Sequence, residues 1–235
     1  GKQTGMLAKL LRARIRFDNK DFAGAAALLN SDEFEKRTKL DDYALWLRGK
    51  ALQQTGNHSE AMSVFTKLIG GYPDSVNIND AKLLWAISAN NSGRASEVPE
   101  FLSELLSKND AGALLVTAKA FDAAGSQAKA IEFFRKTYFF GAGTDEAKEA
   151  ETKLTALSQP LTPLTADEIR TRAEKLYAAK NYAEAEKSFA ALVASFPSSA
   201  TPDVHLKRII TFSNLKRLPD AQGSFAAIPA SAKEK

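Results

Sequence analysis

The 235 residues contain no cysteine. That absence excludes disulfides, thiolate metal sites and a cysteine nucleophile together, and it suits an oxidising periplasm and a reducing cytosol equally. No apolar run approaches the roughly 18 residues a membrane span needs. Charge of one sign is missing as well: 32 basic groups against 28 acidic ones leave +4. The balance describes a mixed surface, whereas a nucleic-acid footprint would cluster its basic groups among stacking aromatics. Gly141-Ala142-Gly143 follows a helical pattern and lacks the third glycine and the lysine of a phosphate loop, so it reads as a turn. No signal peptide is visible, and the opening Gly1-Lys2-Gln3 has no methionine, which gives the expectation of a trimmed piece of a longer protein.

What is present is a spacing. A small residue is followed twelve positions later by a second small one and four further on by a large apolar one. It reads Ala13…Ala25…Leu29, Gly49…Ala61…Phe65, Ala86…Val98…Leu102, Ala118…Ala130…Phe134, Ala173…Ala185…Phe189 and Ile209…Ala221…Phe225. Five residues before each second anchor stands a break: Lys20, Gly56, Gly93, Gly125, Lys180 and Lys216. Small residues belong where two helices cross, because a side chain there would hold the backbones apart; the large residue fills the space beside the crossing. Apolar residues at 44% supply a continuous core and charged ones at 26% a solvated exterior.

This helix–turn–helix pattern resembles the tetratricopeptide repeat family across nearly the whole chain, where A-x3-F and a terminal proline mark the second helix. The fold expected is all-α, a right-handed solenoid of about six helical hairpins plus one extra helix.

The first pair opens with Leu7, Leu10, Leu11 and Ile15 spaced for one apolar face, turns at Asn19-Lys20-Asp21 and returns over 22–29. Residues 31–40 read as a polar connection. Further pairs are expected at about 41–55 with 58–69, 79–91 with 96–107, and 111–124 with 126–139. Gly70-Gly71-Tyr72-Pro73 closes the second pair, and Pro99 falls in a first turn where a missing N–H costs nothing. The second anchors, Ala25, Ala61, Val98, Ala130, Ala185 and Ala221, lie 36, 37, 32, 55 and 36 residues apart. The long interval holds an extra helix at about 144–157 and a linker with Pro160 and Pro163, after which Thr165 and Glu168 form a capping box. The division expected is an array over 1–157 of four helix pairs plus the extra helix, a linker at 158–165 where the array bends, and two repeats over 166–235. The last return helix is expected at 220–228, with Pro229 and the tail to Lys235 frayed or cut.

A narrower likeness follows from the order Phe134-Arg135-Lys136-Thr137-Tyr138-Phe139-Phe140, an extra helix ending Leu154-Thr155-Ala156-Leu157, Pro163, and a fresh repeat with Asn181-Tyr182-Ala183-Glu184-Ala185. It resembles the helical superhelix that precedes the catalytic domain in bacterial soluble lytic transglycosylases and related periplasmic repeat proteins. The resemblance implies a periplasmic setting (a cytoplasmic one stays open), a non-catalytic arm and a partner associated with peptidoglycan. The family's catalytic Glu-Ser motif and its glycine-rich segments are not in this chain, so no catalytic residue carries over.

The expected function is therefore that of a protein-interaction scaffold, not an enzyme, without cofactor or metal, nucleic acid or membrane span, that takes a protein or peptide partner. In the tetratricopeptide family ligands lie along first helices, which points to Tyr43, Trp46, Lys50, Gln53 and Gln54, then Leu83, Ile87, Asn90 and Asn91, then Lys119 and Asp122. Trp46 carries two readings, an exposed anchor among amides or packing against a neighbouring helix. His58 and His205, the only histidines, fall near helix starts on different repeats and read as surface residues. Asp41-Asp42 and the Glu149, Glu151 pair read as helix-dipole and solvated carboxylates. The cluster Phe133, Phe134, Tyr138, Phe139 and Phe140 reads as filling a joint or as an exposed docking patch. Lys9, Arg12 and Arg16 share a basic face, either solvated or meeting an anionic partner.

Overall fold

The computed structural model describes residues 2–230; the expectation for the tail beyond them lies outside the described residues. They are helical throughout, with no strand among them. Two compact units appear. One is built from the residues up to Lys108 with Lys119–Gln127, the other from Asn109–Ala118 with the residues from Ala128 on.

The first unit holds the pair α1 (Lys2–Asp18) and α2 (Phe22–Leu29), a short α3 (Glu33–Arg37), the pair α4 (Asp41–Gln54) and α5 (His58–Gly71), and α6 (Ile78–Asn91). The helix returning after α6 is broken, not continuous as expected: a 3-10 turn at Ala95–Glu97 leads to α7 (Val98–Phe101) and α8 (Ser103–Ser107). Val98 and Leu102 are nonetheless fully buried, so the anchors hold while the helix between them yields. Helix α9 (Ala111–Ala123) contributes to both units. The second unit continues with α10 (Gln127–Phe140), α11 (Asp145–Ala156), the pair α12 (Ala166–Ala178) and α13 (Tyr182–Ser195), and the pair α14 (Pro202–Asn214) and α15 (Leu218–Ala226).

Every one of the six breaks is a left-handed residue: Lys20 at φ 63°, Gly56 78°, Gly93 79°, Gly125 71°, Lys180 59° and Lys216 59°. After each, an N–H reaches back into the preceding helix: Asp21 to the Arg16 carbonyl, Asn57 to Leu52, Arg94 to Ala89, Ser126 to Phe121, Asn181 to Leu176 and Arg217 to Phe212. These are Schellman closures, which satisfy carbonyls left over at a helix end. Between hairpins, Thr144, Thr165 and Thr201 cap α11, α12 and α14 by accepting from Ala147, Glu168 and Val204. The Glu168 carboxylate reaches back to the Leu164 N–H at 2.7 Å, one residue before the cap.

The anchors bury as the crossing argument requires in the first five copies; Ala13, Ala25, Ala61, Phe65, Ala86, Ala118, Phe134, Ala173, Ala185 and Phe189 have no exposed surface. At Gly49 a Cβ would stand 2.4 Å from Phe65 Cε1. The sixth copy departs from this: Phe225 is 55% exposed and Ile209 half-buried.

Other expectations need correction. Residues 31–40 are not a plain connection, since Phe34 is fully buried with Leu10, Leu29, Ala44 and Leu47 and draws α3 into a helix around it. On α1, Leu10, Ala13 and Phe17 face this core while Leu7, Leu11 and Ile15 are exposed. Both rows fit a helical period, and the partner chosen by α2 and α4 decides between them. Helix α5 stops within Gly70-Gly71-Tyr72-Pro73, running two residues beyond the expected 69 to Gly71 with Tyr72 as its cap. The last helix begins at Leu218, earlier than expected, with Pro219 in its first turn.

In the second unit Phe134 and Phe139 are fully buried and Tyr138 nearly so, so the aromatic cluster fills a core. The carbonyl end of α10 meets cations from α12: Arg172 donates to the Tyr138 carbonyl at 2.8 Å, and Lys175 to that of Phe140. Such placement neutralises the negative end of a helix dipole. Arg135 of α10 holds the proline-containing segment, donating to the carbonyls of Pro160 at 2.6 Å and Thr162 at 3.0 Å, with Glu168 at 3.6 Å. The segment expected to bend is thus strapped within its unit.

Candidate functional site

Tyr43, Trp46, Lys50 and Gln53 recur three and four apart along α4, so they share one face. That face turns toward α6, the first helix of the next hairpin. Gln53 donates from Nε2 to the Leu84 carbonyl and to Ser88 Oγ, both at 3.1 Å. Trp46 Nε1 donates to Asp80 Oδ2 at 2.5 Å. The indole is half-buried beside the Leu10–Phe34 core, its ring 5.5 Å from that of Tyr43, with Lys50 Nζ 4.3 Å from its centroid. Trp46 therefore packs between helices and keeps only part of its ring at the surface. Tyr43 accepts a hydrogen bond from Arg14 Nη1 at 2.9 Å. That bond and the Asp18 carboxylate raise the Arg14 pKa, Asp18 being the larger cause.

Beyond this seam, Leu83, Ile87 and Asn90 of α6 are half-buried and Gln54 and Asn91 exposed. Lys119 and Asp122 on α9 are exposed and belong to the same compact unit as α4 and α6. The structure brings Tyr43, Trp46, Lys50 and Gln53 together directly. Sequence reasoning missed Asp80, Leu84 and Ser88, the partners across the seam, each thirty or more residues away. An acid in the first turn of the next first helix was the available signal for Asp80.

The other singled-out groups are mostly structural. Asp41 is buried and accepts from the Tyr72 hydroxyl at 2.6 Å, while Asp42 accepts from Ser75 Oγ at 2.6 Å. These carboxylates tie the start of α4 to the loop after α5 instead of being merely solvated, and burial together with Asp41 pushes the Tyr72 hydroxyl pKa upward. His205 is not a surface residue. It is 6% exposed, its Nδ1 meets no partner, and burial followed by the Arg208 charge lowers its pKa. His58 is half-buried in the other unit. On α1, Lys9 lies 5.9 Å from the Phe34 ring centroid and Arg16 pairs with Asp21 at 3.2 Å, while Arg12 and Arg16 are both exposed. No group of three or more His, Asp or Glu side chains poised for a metal occurs among the described residues, and none of their helices is long and apolar enough to cross a membrane.

Residues 43–75, spanning most of the α4–α5 hairpin and the loop after it, match the tetratricopeptide repeat family. No curated protein matches the chain. Among solved structures it is similar to a tetratricopeptide repeat protein from Parabacteroides merdae, at 15% identity and TM-score 0.47, over 97% of this chain and 81% of that one. It is also similar to the TPR2AB domain of yeast Sti1 in complex with pHSP90, at 16% identity and TM-score 0.42, over 95% of this chain and 89% of that one.

Proposed function

We propose that this protein is a non-catalytic interaction scaffold that receives a polypeptide partner on the first-helix face of α4 and α6, together with Lys119 and Asp122 of the same unit. The observation that carries the reading is the seam itself. Trp46, Gln53, Asp80 and Ser88 lock successive first helices into a fixed surface, so a partner meets preformed groups and binding orders few side chains. Tyr43, Lys50, Ile87, Asn90, Lys119 and Asp122 supply an aromatic, apolar, amide and charged mixture suited to a peptide. The tetratricopeptide match over 43–75 supports the same assignment. The test places photo-crosslinking side chains at Lys50, Ile87 and Lys119 on this face, and at Ser59 and Ser63, exposed on the return helix α5. Adducts to one polypeptide from the first set alone support the reading; adducts from α5 alone, or none, defeat it.

A second reading narrows the setting. The order of α10, the unpaired α11, the strapped Pro160–Pro163 segment and the fresh α12–α13 hairpin supports a helical arm of a periplasmic lytic transglycosylase, its chemistry residing elsewhere in the protein and its partner peptidoglycan-associated. Sedimentation with purified peptidoglycan sacculi tests it: retention that a soluble glycan fragment competes away supports it, and absence of retention removes it.

A further inference from the structure

The residue before the small anchor of each first helix is arginine in four of the six copies: Arg12, Arg48, Arg172 and Arg208. Arg48 Nη2 stands 2.6 Å from Glu60 Oε1 on its own return helix, and Arg208 Nη2 3.4 Å from Glu186 Oε1. In the repeat frame Glu184 is to Arg172 what Glu60 is to Arg48. Glu184, however, pairs with Lys187 at 2.7 Å, and Arg172 meets no carboxylate among the described residues. Its single hydrogen bond runs from Nη1 to the Tyr138 carbonyl at 2.8 Å, and its guanidinium carbon lies 3.7 Å from the Tyr138 ring centroid.

Arg172 is 9% exposed, and what surface it keeps opens into a cleft of about 580 Å³ inside the second unit. The cleft lies between α11, which in chain order stands outside the hairpin pairs, and the α12–α13 pair. Ala147, Leu176 and Ala179 give it apolar lining, and the Asn181 amide adds a polar group. Lys148 is held by Asp145 at 2.8 Å. Arg172 and the half-buried Glu151 are then the two charges of the lining without an ion-pair partner among the described residues. A guanidinium carries five N–H donors in a fork that fits a carboxylate, and a buried one without an anion is unfavourable.

We infer that this cleft binds a glutamate or aspartate side chain of a partner polypeptide, its carboxylate taking on Arg172 the place that Glu60 takes on Arg48. The inference rests on the scaffold reading only in requiring a polypeptide ligand, and its site is separate from the α4–α6 face. Arg172 receives the carboxylate, Asn181 is available to the peptide backbone, and Glu151 disfavours a second acid alongside.

The test uses the full chain and two acetylated, amidated pentapeptides, Ala-Ala-Glu-Ala-Ala and its glutamine counterpart, followed by the Arg172 Nε–Hε NMR resonance and, in every variant, by the side-chain amide resonances of Asn181 in the cleft lining. The glutamate peptide should shift that resonance saturably and the glutamine peptide should not. Arg172→Lys, which keeps the charge and loses the fork, should weaken binding about tenfold. Glu151→Gln should tighten it about threefold by removing a like charge. The inference is overturned by no saturable shift, by equal binding of the glutamine peptide, or by unchanged affinity in Arg172→Lys. It is equally overturned by weaker binding in Glu151→Gln, which would mean that this acid helps to hold the ligand and does not repel it, or by equal binding of a free-acid alanine pentapeptide, which marks a chain terminus. Should Arg172→Lys fail to fold by circular dichroism, the peptide pair and Glu151→Gln decide alone. Crosslinking at Lys50 and Ile87 reads the α4–α6 surface of the first unit and is indifferent to either result.

Discussion

Adding one methyl group at Gly49 probes the helix crossing that organises the repeat. A Cβ there would lie 2.4 Å from Phe65 Cε1, 2.6 Å from Cζ and 2.9 Å from Cδ1. Phe65 has no exposed surface, so its ring cannot swing into solvent, and either the ring is driven into its packed neighbours or the two helices part. In an open helix, replacing glycine by alanine gains about 0.8–1 kcal/mol of propensity. Overpacking a filled core costs about 1–3 kcal/mol. Gly49→Ala is therefore expected to destabilise by up to about 2 kcal/mol, in the direction opposite to its propensity. Gly70 supplies the control, since it sits in the last turn of the paired helix α5 in the same unit with nothing within 4 Å of an added Cβ. Gly70→Ala should be neutral or stabilising by up to about 1 kcal/mol. Urea denaturation followed by far-UV circular dichroism measures both. A Gly49→Ala protein as stable as Gly70→Ala would refute the packing argument, and rescue by Gly49→Ala with Phe65→Leu would identify the ring as the obstacle.

Three further outcomes follow from the same geometry. Lys180→Gly and Lys216→Gly, which relieve left-handed strain, should each raise stability by about 1 kcal/mol, while Gly56→Ala and Gly125→Ala should lower it comparably; chemical denaturation gives the signs. Glu104 is held at a pKa of about 2 by hydrogen bonds from Lys108 and Lys82. Its contribution to stability is therefore complete above its ordinary value near 4.5 and disappears as pH falls toward about 2, which a side-chain NMR titration and the flatter acid limb of Glu104→Gln would show. For His205 the depressed pKa puts the full contribution above its ordinary value near 6.5 and loses it as pH falls through the lower folded value, so His205→Leu should lessen the decline of stability on mild acidification.

The turns were the most legible part of the chain. Glycine or lysine five residues ahead of each second anchor marked the left-handed residue of all six hairpin turns, because that closure depends on a local backbone conformation, whereas left-handed Asn109, Gly143 and Ser158 lay outside the pattern. The anchors were legible for the same reason: a crossing admits only small side chains. Elements governed by distant partners were not. The helix around Phe34 hides in a polar run because one aromatic, buried against residues of α1, α2 and α4, is enough to form it. The α1 faces share one period, so periodicity could not choose Leu10 over Leu11. At the candidate site the α4 face could be read from spacing, whereas the Trp46–Asp80 and Gln53–Ser88 bonds join residues whose proximity only the fold creates. The recurring arginine before the anchor was in plain view, but only its neighbours distinguish the paired Arg48 from Arg172.

The scaffold reading meets its most direct test in hydrogen–deuterium exchange of the full chain with and without the polypeptide recovered by crosslinking. Binding on the first-helix face predicts slowed exchange concentrated in Asp41–Gln54 and Ile78–Asn91, with the return helix His58–Gly71 little changed. Protection concentrated in His58–Gly71, or spread evenly over both helices of each pair, would contradict it.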